Sequence, residues 1–556
     1  MKHCLLFLRR YKGYLLFAAL LIGYGGWGIM RGQVSTWDLM NYHLYNAYAF
    51  INGRFGTDIM PAGVHTFLNP LSDVPYYLMI RYLNDYPRVI AFLMSCWSGV
   101  LLFLFYKFCT LVYGRKEWLW TCFAVVMAAG GYMFVTQTGS QNNDIALNAI
   151  ALFSVYLFFR FLFKNTRKRS CLFWASFIAC GATGLKYTLA CVPIAMFAVL
   201  CANYRHLKDV REDFGAFVLG GLTGFLVTNG YFMWRLWERY DNPVFPFYNQ
   251  IFKSPYFEPE HLKDIRFYPQ TAVQWLFFPF LRFLKPEGII SEVLRDYRLA
   301  AGFVSYFIVL GVWLKGIGKR ANLAWRRTGR VLLFIAVLYG VWLNTFAILR
   351  YVIILEMISC LLVVYVIKLL PVRKVFSVCL AVLGCTLLMQ SVSKENWGEK
   401  RFAFAGKAID IKPSLPKVEP NALVIFWGSP MSFLAPFFPQ DAVFVGGVRY
   451  PAYNHHFFTV RQQARLLNFL PEIYFKHRFD ETIKELIRKH SGPIYIVSVP
   501  WELMLAPQTL APYGLEKTGE RCQWFNSNIN VYLFRGAGWT VCRVRKTSAA
   551  VMAGGN

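Results

Sequence analysis

The chain has 556 residues, 56% of them hydrophobic, 18% aromatic and 16% charged, with a formal net charge of +29 and a mean hydropathy of +0.38. That balance is too apolar for an ordinary soluble enzyme. The cations gather in short loops between apolar runs rather than on one amphipathic face, which argues against a nucleic-acid partner.

The first apolar run covers about residues 14–30. It follows Lys2, Arg9, Arg10 and Lys12, which places its start in the cytoplasm. The RGQVSTWD that comes after it lacks a small-x-small cleavage site, so an uncleaved helix is expected rather than a signal peptide. Further apolar runs lie near 89–112, 119–136, 145–163, 171–185, 187–202, 215–236, 299–316, 331–348, 352–369 and 375–392. Together they predict about eleven transmembrane helices. The loops expected inside carry the cations: Arg115 and Lys116, then Lys164 to Arg169, Arg205 to Arg211, Lys315 to Arg330, and Lys368 to Lys374. The short outer turns hold chiefly Lys186 and Arg350.

Two long segments, 35–88 and 237–298, are expected as outer loops of a membrane domain spanning 1–393. The remainder, 394–556, reads as an extracytoplasmic α/β domain. ALVIFWG, AVFVGG, PIYIVSVP and NVYLFRG read as strands and FDETIKELIRKH as an amphipathic helix. No Gly-x-Gly-x-x-Gly turn marks a dinucleotide site. Of the thirteen cysteines, most lie in apolar runs as small buried residues. No pair has zinc spacing. Only Cys522 and Cys542 fall in the polar C-terminal region, where a bridge is open to them if that region is extracytoplasmic.

Polar residues at the outer membrane edge are the candidate site. Asp38 follows the first helix in STWDLMNYHLYNAYAFING, which reads as an aromatic helix in the interface with tyrosines at headgroup depth. Asp38 is a candidate general base or cation ligand, or the N-cap of that helix. Asp144, in SQNNDIAL, is either a second site carboxylate or a helix cap among turn residues. Lys186 costs about 2.5–3.5 kcal/mol at bilayer depth, so it requires snorkelling, an anionic partner or a phosphate. Arg350, Arg295 and Arg298 either clamp a phosphate headgroup or anchor helices. Glu356, inside an apolar run, is a functional candidate or pairs with a neighbouring helix. His43 and His65 lack metal-ligand spacing and read as acid–base groups or as interfacial hydrogen bonders.

On these residues the chain resembles the GT-C superfamily of polytopic glycosyltransferases, which includes protein O-mannosyltransferases and lipid A aminoarabinose transferases. The resemblance rests on Asp38 within TWDLMNYH, Asp144 within SQNNDIAL, the GLKYT hairpin, NPVFPFYN, and the Arg350–Tyr351 start of ILRYVI. It covers most of 1–393. It implies transfer of a sugar from a polyprenyl-phosphate carrier to an extracytoplasmic glycan, lipid or protein, in a bacterial inner membrane with the N-terminus cytoplasmic and the C-terminal domain periplasmic. In that scheme Asp38 deprotonates or orients the acceptor. Asp144 supports it or, with Asp38, holds a divalent cation. Lys186, Arg350 and Arg298 stabilise the departing phosphate, and Tyr351, His43 and His65 are further substrate-binding candidates. The second outer loop carries a lone Asp144 where some branches have an Asp-Glu pair, which leaves metal use open. A polysaccharide polymerase or ligase using lipid-diphosphate glycans, and a lipid or solute transporter, are the alternatives. The early loop bearing Asp38 disfavours the first, and the lack of an internal repeat disfavours the second.

Overall fold

In the computed structural model the described residues are 2–163, 168–206, 209–262, 264, 267–284, 295–316, 323–392, 399–428, 430–446, 477–499, 510–530 and 538–547. They form two compact units. One comprises Met1–Arg31, Ala91–Gly230 and Ile265–Glu399; the other comprises Gly32–Ile90, Tyr231–Asp264 and Lys400–Asn556.

The first unit is helical. Among the described residues, seven helices are long and apolar enough to cross a bilayer: Gly13–Met30, Pro87–Tyr113, Asp144–Phe163, Val210–Tyr240, Arg298–Lys315, Leu323–Thr345 and Leu349–Leu369. Trp118–Ala129, Tyr187–Ala202 and Lys374–Gln390 are apolar but shorter, and the helix Arg169–Leu185 has 17 residues. Every expected run therefore carries helix, while length and composition alone license seven crossings rather than eleven. The expected run 119–136 is divided: one helix ends at Ala129 and a second, Tyr132–Gln137, begins after two glycines.

Packing here follows the rules of an apolar solvent, in which close backbone approach matters more than apolar burial. The helices Arg169–Leu185 and Val210–Phe225 meet through Gly220 and Gly224. A Cβ at Gly224 would lie 2.0 Å from the Phe177 carbonyl oxygen, and one at Gly220 would lie 2.3 Å from that of Phe173. Elsewhere large rings fill the interior: Phe105, Phe108, Phe158, Phe159, Phe334 and Trp342 are fully buried. Trp342 Nε1 donates to the Ile348 carbonyl at 2.9 Å, tying down the turn before the helix at Ile353–Leu369.

The second unit contains the sheet. β1 (Gln33–Thr36) pairs with β2 (Glu399–Phe402). The larger sheet is built from β3 (Ile411–Lys412), β4 (Leu423–Trp427), β5 (Val443–Val445), β6 (Ile494–Ser498), β7 (Leu515–Lys517), β8 (Gln523–Ser527) and β9 (Trp539–Lys546). Its order is β3-β8-β9-β6-β4-β5, with β7 also on β9. β4 lies parallel between β5 and β6, with Leu423 opposite Val443 and Ile494. The strand LVIFW is buried at every position, as a strand covered on both faces must be. The helix His477–Lys489 turns Phe479, Ile483 and Ile487, four residues apart, into the same core. β9 runs antiparallel to β6 in the middle of the sheet, with Ile496 opposite Cys542. The sequence reading missed this strand. The expected strand NVYLFRG lies outside the described residues beyond Asn530. Cys522 and Cys542 form a disulfide across the neighbouring antiparallel strands.

Residues 32–90 are not a free loop. The helical stretch that begins at Trp37 packs against the 3-10 segment Ser432–Phe437. Its tyrosines are inside: Tyr42, Tyr45 and Tyr48 are all buried, so the expected interfacial helix with tyrosines at headgroup depth is replaced by a core element. Ile59 extends the sheet edge. Its amide donates to the Phe444 carbonyl at 3.0 Å, and its carbonyl accepts from Gly446 at 2.9 Å. Asp58 fixes this junction. It takes a bidentate contact from Arg54 at 2.7 Å on both oxygens, the Tyr45 hydroxyl at 2.8 Å and the Phe444 amide at 3.0 Å. Burial, then the Asp58 carboxylate, push the Tyr45 phenol well above its usual range, so it stays a donor. Arg54 also donates to the Gln440 and Ala442 carbonyls.

Asp58→Ala strands the buried Arg54 and Tyr45 together. The expected cost is about 3–5 kcal/mol, read as earlier proteolysis of 400–547 and a lower melting temperature in detergent. An unchanged melt would show that the Asp58 network does not hold the segment. Replacing Cys522 with Ser should remove about 3 kcal/mol, and a linked Cys522–Cys542 peptide pair should be found by mass spectrometry of unreduced protein.

Candidate functional site

In the helical unit the sequence candidates Asp144, Lys186, Arg350 and Tyr351 come together. Asp144 opens the helix Asp144–Phe163, where a carboxylate is favoured by the helix dipole. It is 2% exposed. Lys186 lies at the break between the helix Arg169–Leu185 and the 3-10 turn Tyr187–Ala190. Its ammonium pairs with Asp144 Oδ1 and donates to the Asn142 carbonyl at 3.3 Å. Arg350 opens the 3-10 turn Leu349–Val352 and brings Nε to 4.0 Å from Asp144 Oδ2. The Tyr351 ring is near both cations, with Lys186 Nζ 4.7 Å and the Arg350 guanidinium 5.3 Å from its centroid. Both cations keep some exposure, 20% and 16% of their side chains, while the Asp144 side chain keeps 1%.

Asn148, which the sequence reading did not single out, holds this arrangement. One turn beyond Asp144 on the same helix, its Nδ2 donates to the Asp144 carbonyl at 2.8 Å and to that of Tyr351 at 3.2 Å. Its Oδ1 accepts from the Ile354 amide at 3.2 Å. It therefore fixes the Arg350–Tyr351 turn beside the start of the Asp144 helix. The signal was present as Asp-x-x-x-Asn, a spacing that shares one helix face. Asn142 Nδ2 donates to Gln137 Oε1 at 3.1 Å, and Gln137 in turn donates to Glu399 at 3.3 Å.

Arg298 is placed elsewhere in the same unit. It is fully buried and pairs with Asp296 at 2.6 Å. Its Nε donates to the Met127 carbonyl at 2.9 Å and its Nη1 to that of Leu388 at 3.2 Å. A buried arginine bonded to a carboxylate and two carbonyls ties its helix to its neighbours, apart from the cluster around Asp144. Glu356 likewise has a local partner. Its two oxygens accept from the Met133 and Phe134 amides at 3.1 Å, capping the helix Tyr132–Gln137. This explains the break in the expected 119–136 run: Gly131 brings the backbone so close that a Cβ there would sit 2.4 Å from Glu356 Oε2.

In the second unit, Asp38 is half-buried in the first turn of the helical stretch. It does not cap that helix. Asp38 makes no side-chain cap bond, and the Thr36 hydroxyl accepts from the Leu39 amide at 2.9 Å instead. The cap reading of Asp38 is thereby replaced. His43 pairs through Nδ1 with Asp73 Oδ1 at 2.7 Å, and both are buried. His65 stacks on Tyr42 at 5.0 Å, takes the edge of Trp37 at 5.4 Å, and meets Asn41 Nδ2 through Nδ1 at 3.3 Å. Among the described residues no group of three His, Cys, Asp or Glu side chains has a metal-binding arrangement. The Asp144 carboxylate faces two cations, a donor set that suits an anion beside them better than a divalent cation.

Gly131→Ala should displace Glu356 from its two amides. Leaving buried hydrogen-bonding groups unpaired costs about 1–3 kcal/mol, so the variant is expected to melt earlier in detergent, with Glu356→Ala giving a loss of similar size. A neutral Gly131→Ala would refute the close approach.

No protein-family model matches the chain, and no curated protein matches it. Among solved structures it is similar to the crystal structure of ArnT from Cupriavidus metallidurans bound to undecaprenyl phosphate. The identity is 10%, 96% of this chain and 98% of that chain are covered, and the TM-score is 0.48. A likeness at that level assigns no activity and no residue.

Proposed function

We propose that the protein is a membrane glycosyltransferase that moves a sugar from a polyprenyl-phosphate carrier to an extracytoplasmic acceptor, in a bacterial inner membrane. The observation that carries the reading is the pairing of Lys186 and Arg350 on one buried carboxylate beside Tyr351, at the ends of apolar helices. A phosphate leaving group gains negative charge as the glycosidic bond breaks, and stabilisation is greatest where fixed positive charge already faces it. An ammonium and a guanidinium held side by side, partly exposed, supply that field. The guanidinium adds the planar donor fork that suits phosphate oxygens. Asp144 keeps both cations in place, so their orientation is set before the ligand arrives.

Asp38 is assigned as the general base for the acceptor, on the strength of the TWDLMNYH resemblance and of a carboxylate not engaged in capping. As the acceptor oxygen bonds the anomeric carbon, its proton passes to Asp38, while the carrier phosphate departs from the opposite face with inversion. The Cys522–Cys542 disulfide supports an oxidising, extracytoplasmic setting for residues 400–556. The cation-rich loops support a cytoplasmic N-terminus.

The test is transfer by the purified full chain in lipid nanodiscs. A panel of short-chain polyprenyl-phosphate hexoses and pentoses serves as donor, and a detergent extract of the host membrane supplies acceptor. Asp38→Asn should lose transfer by about 10²–10⁴-fold. Lys186→Ala and Arg350→Ala should each weaken it about 10–100-fold, the equivalent of one charge-assisted contact. Turnover of lipid-diphosphate glycans but not of the monophosphate panel would replace this reading with the polymerase or ligase alternative. Full activity in Asp38→Asn would remove Asp38 from the chemistry.

A further inference from the structure

The buried His43–Asp73 pair has no role in what has been described so far. Asp73 lies at the start of the helix Val74–Leu83, a place where a carboxylate ordinarily caps, yet it makes no side-chain cap bond there. Its Oδ1 instead takes His43 Nδ1 at 2.7 Å, with His43 6% and Asp73 3% exposed. An ionised carboxylate at Nδ1 makes that nitrogen the donor and leaves Nε2 as an acceptor. His43 Nε2 is itself buried and has no hydrogen-bond partner among the described residues. An imidazole needed only for packing would not leave a nitrogen unpaired, since a buried polar atom without a partner costs about 1–3 kcal/mol. A histidine oriented by a carboxylate with its other nitrogen unpaired is an arrangement that can accept and hold a proton.

The local backbone connects this pair to Asp38. Residues Leu39–His43 form a π-helical turn with Asp38 at its N-cap position. A π-turn bonds each residue to the fifth one on and, as a single-turn bulge in an α-helix, is frequent at functional sites. Asp38 and His43 thus stand at the two ends of one π-turn. The Tyr42 ring, 4.2 Å from that of His43 and stacked on His65, closes the neighbouring face.

We propose that His43, oriented by Asp73, is a positioning residue that takes the acceptor's proton from Asp38. This rests on the glycosyl-transfer reading above. The acceptor hydroxyl gives its proton to the Asp38 carboxylate as its oxygen bonds the anomeric carbon. The bond from that carbon to the carrier phosphate breaks, and its electron pair leaves with polyprenyl phosphate. The proton then moves from Asp38 to His43 Nε2. The resulting imidazolium is held by the Asp73 carboxylate until it gives the proton to water as the product leaves, so that Asp38 and His43 are both restored for the next turnover.

The experiment uses the same nanodisc assay and donor panel, and measures kcat and donor KM separately together with the melting temperature. His43→Gln keeps a polar side chain but cannot carry the proton. It is expected to lower kcat by about 10²–10³-fold with donor KM changed less than about threefold, and to have no further effect in an Asp38→Asn background. Asp73→Asn should lower kcat in the same way and by a smaller factor. Added imidazole should restore part of the kcat of His43→Ala. A His43→Gln enzyme with wild-type kcat, or one whose loss follows its melting temperature and is not restored by imidazole in His43→Ala, overturns the relay while leaving Asp38 as base. Absence of donor turnover by the unmodified protein overturns the glycosyl-transfer reading, and the relay falls with it.

Discussion

The helical unit is organised by one constraint: a charged side chain withdrawn from water among apolar helices must meet an opposite charge or a backbone dipole. Three carboxylates meet it in three ways. Asp296 is closed on Arg298, which also donates to two carbonyls. Glu356 is closed on two amides at a helix start. Asp144 is met by Lys186 and, at longer range, by Arg350, and both cations remain partly open. The first two arrangements are shut and act as struts. The third has a buried acid and accessible bases, which is the polarity an anionic ligand requires.

The same contrast runs through the second unit. Asp58 is saturated by Arg54, Tyr45 and the Phe444 amide, and the result is mechanical: residues 54–59 become part of the sheet edge that β5 forms. Asp73 meets a histidine whose far nitrogen is unmet among the described residues. Burial is nearly equal in the two cases, so burial alone does not separate a structural acid from one with chemistry.

The membrane helices and the parallel β-strands could be read from sequence because each reports a local property, the length of an apolar run or an unbroken apolar pentamer such as LVIFW. Asp144, Lys186 and Arg350 were legible for a related reason, since a charge at the edge of an apolar run is conspicuous whatever it touches. Arg298 shows where this fails. A cation ahead of an apolar run looks like a headgroup contact, and only the fold reveals that Asp296, two residues earlier, turns back to meet it. Asp73 was illegible because its partner lies thirty residues away and its own position imitates a cap. Strand β9, WTVCRVRK, carries arginines at alternate positions and reads as a polar tail, although the fold sets it in the middle of the sheet. The tyrosines of DLMNYHLYNAYAF misled for the opposite reason: amphipathic spacing specifies that one face is covered, but not whether lipid or protein covers it.

Lys186 illustrates how far the electrostatic argument extends. If Asp144 were present only to make Lys186 tolerable, a single carboxylate beside a single lysine would suffice, and Arg350 would be better placed toward water. Instead the fold brings Arg350 and Lys186 to 5.3 Å and 4.7 Å from the Tyr351 ring centre, and Asn148 secures the turn that carries Arg350 and Tyr351. Ordering two long side chains works against about 2 kcal/mol of rotamer entropy in each. Cations oriented in advance are the condition under which negative charge on a ligand is stabilised without reorganisation.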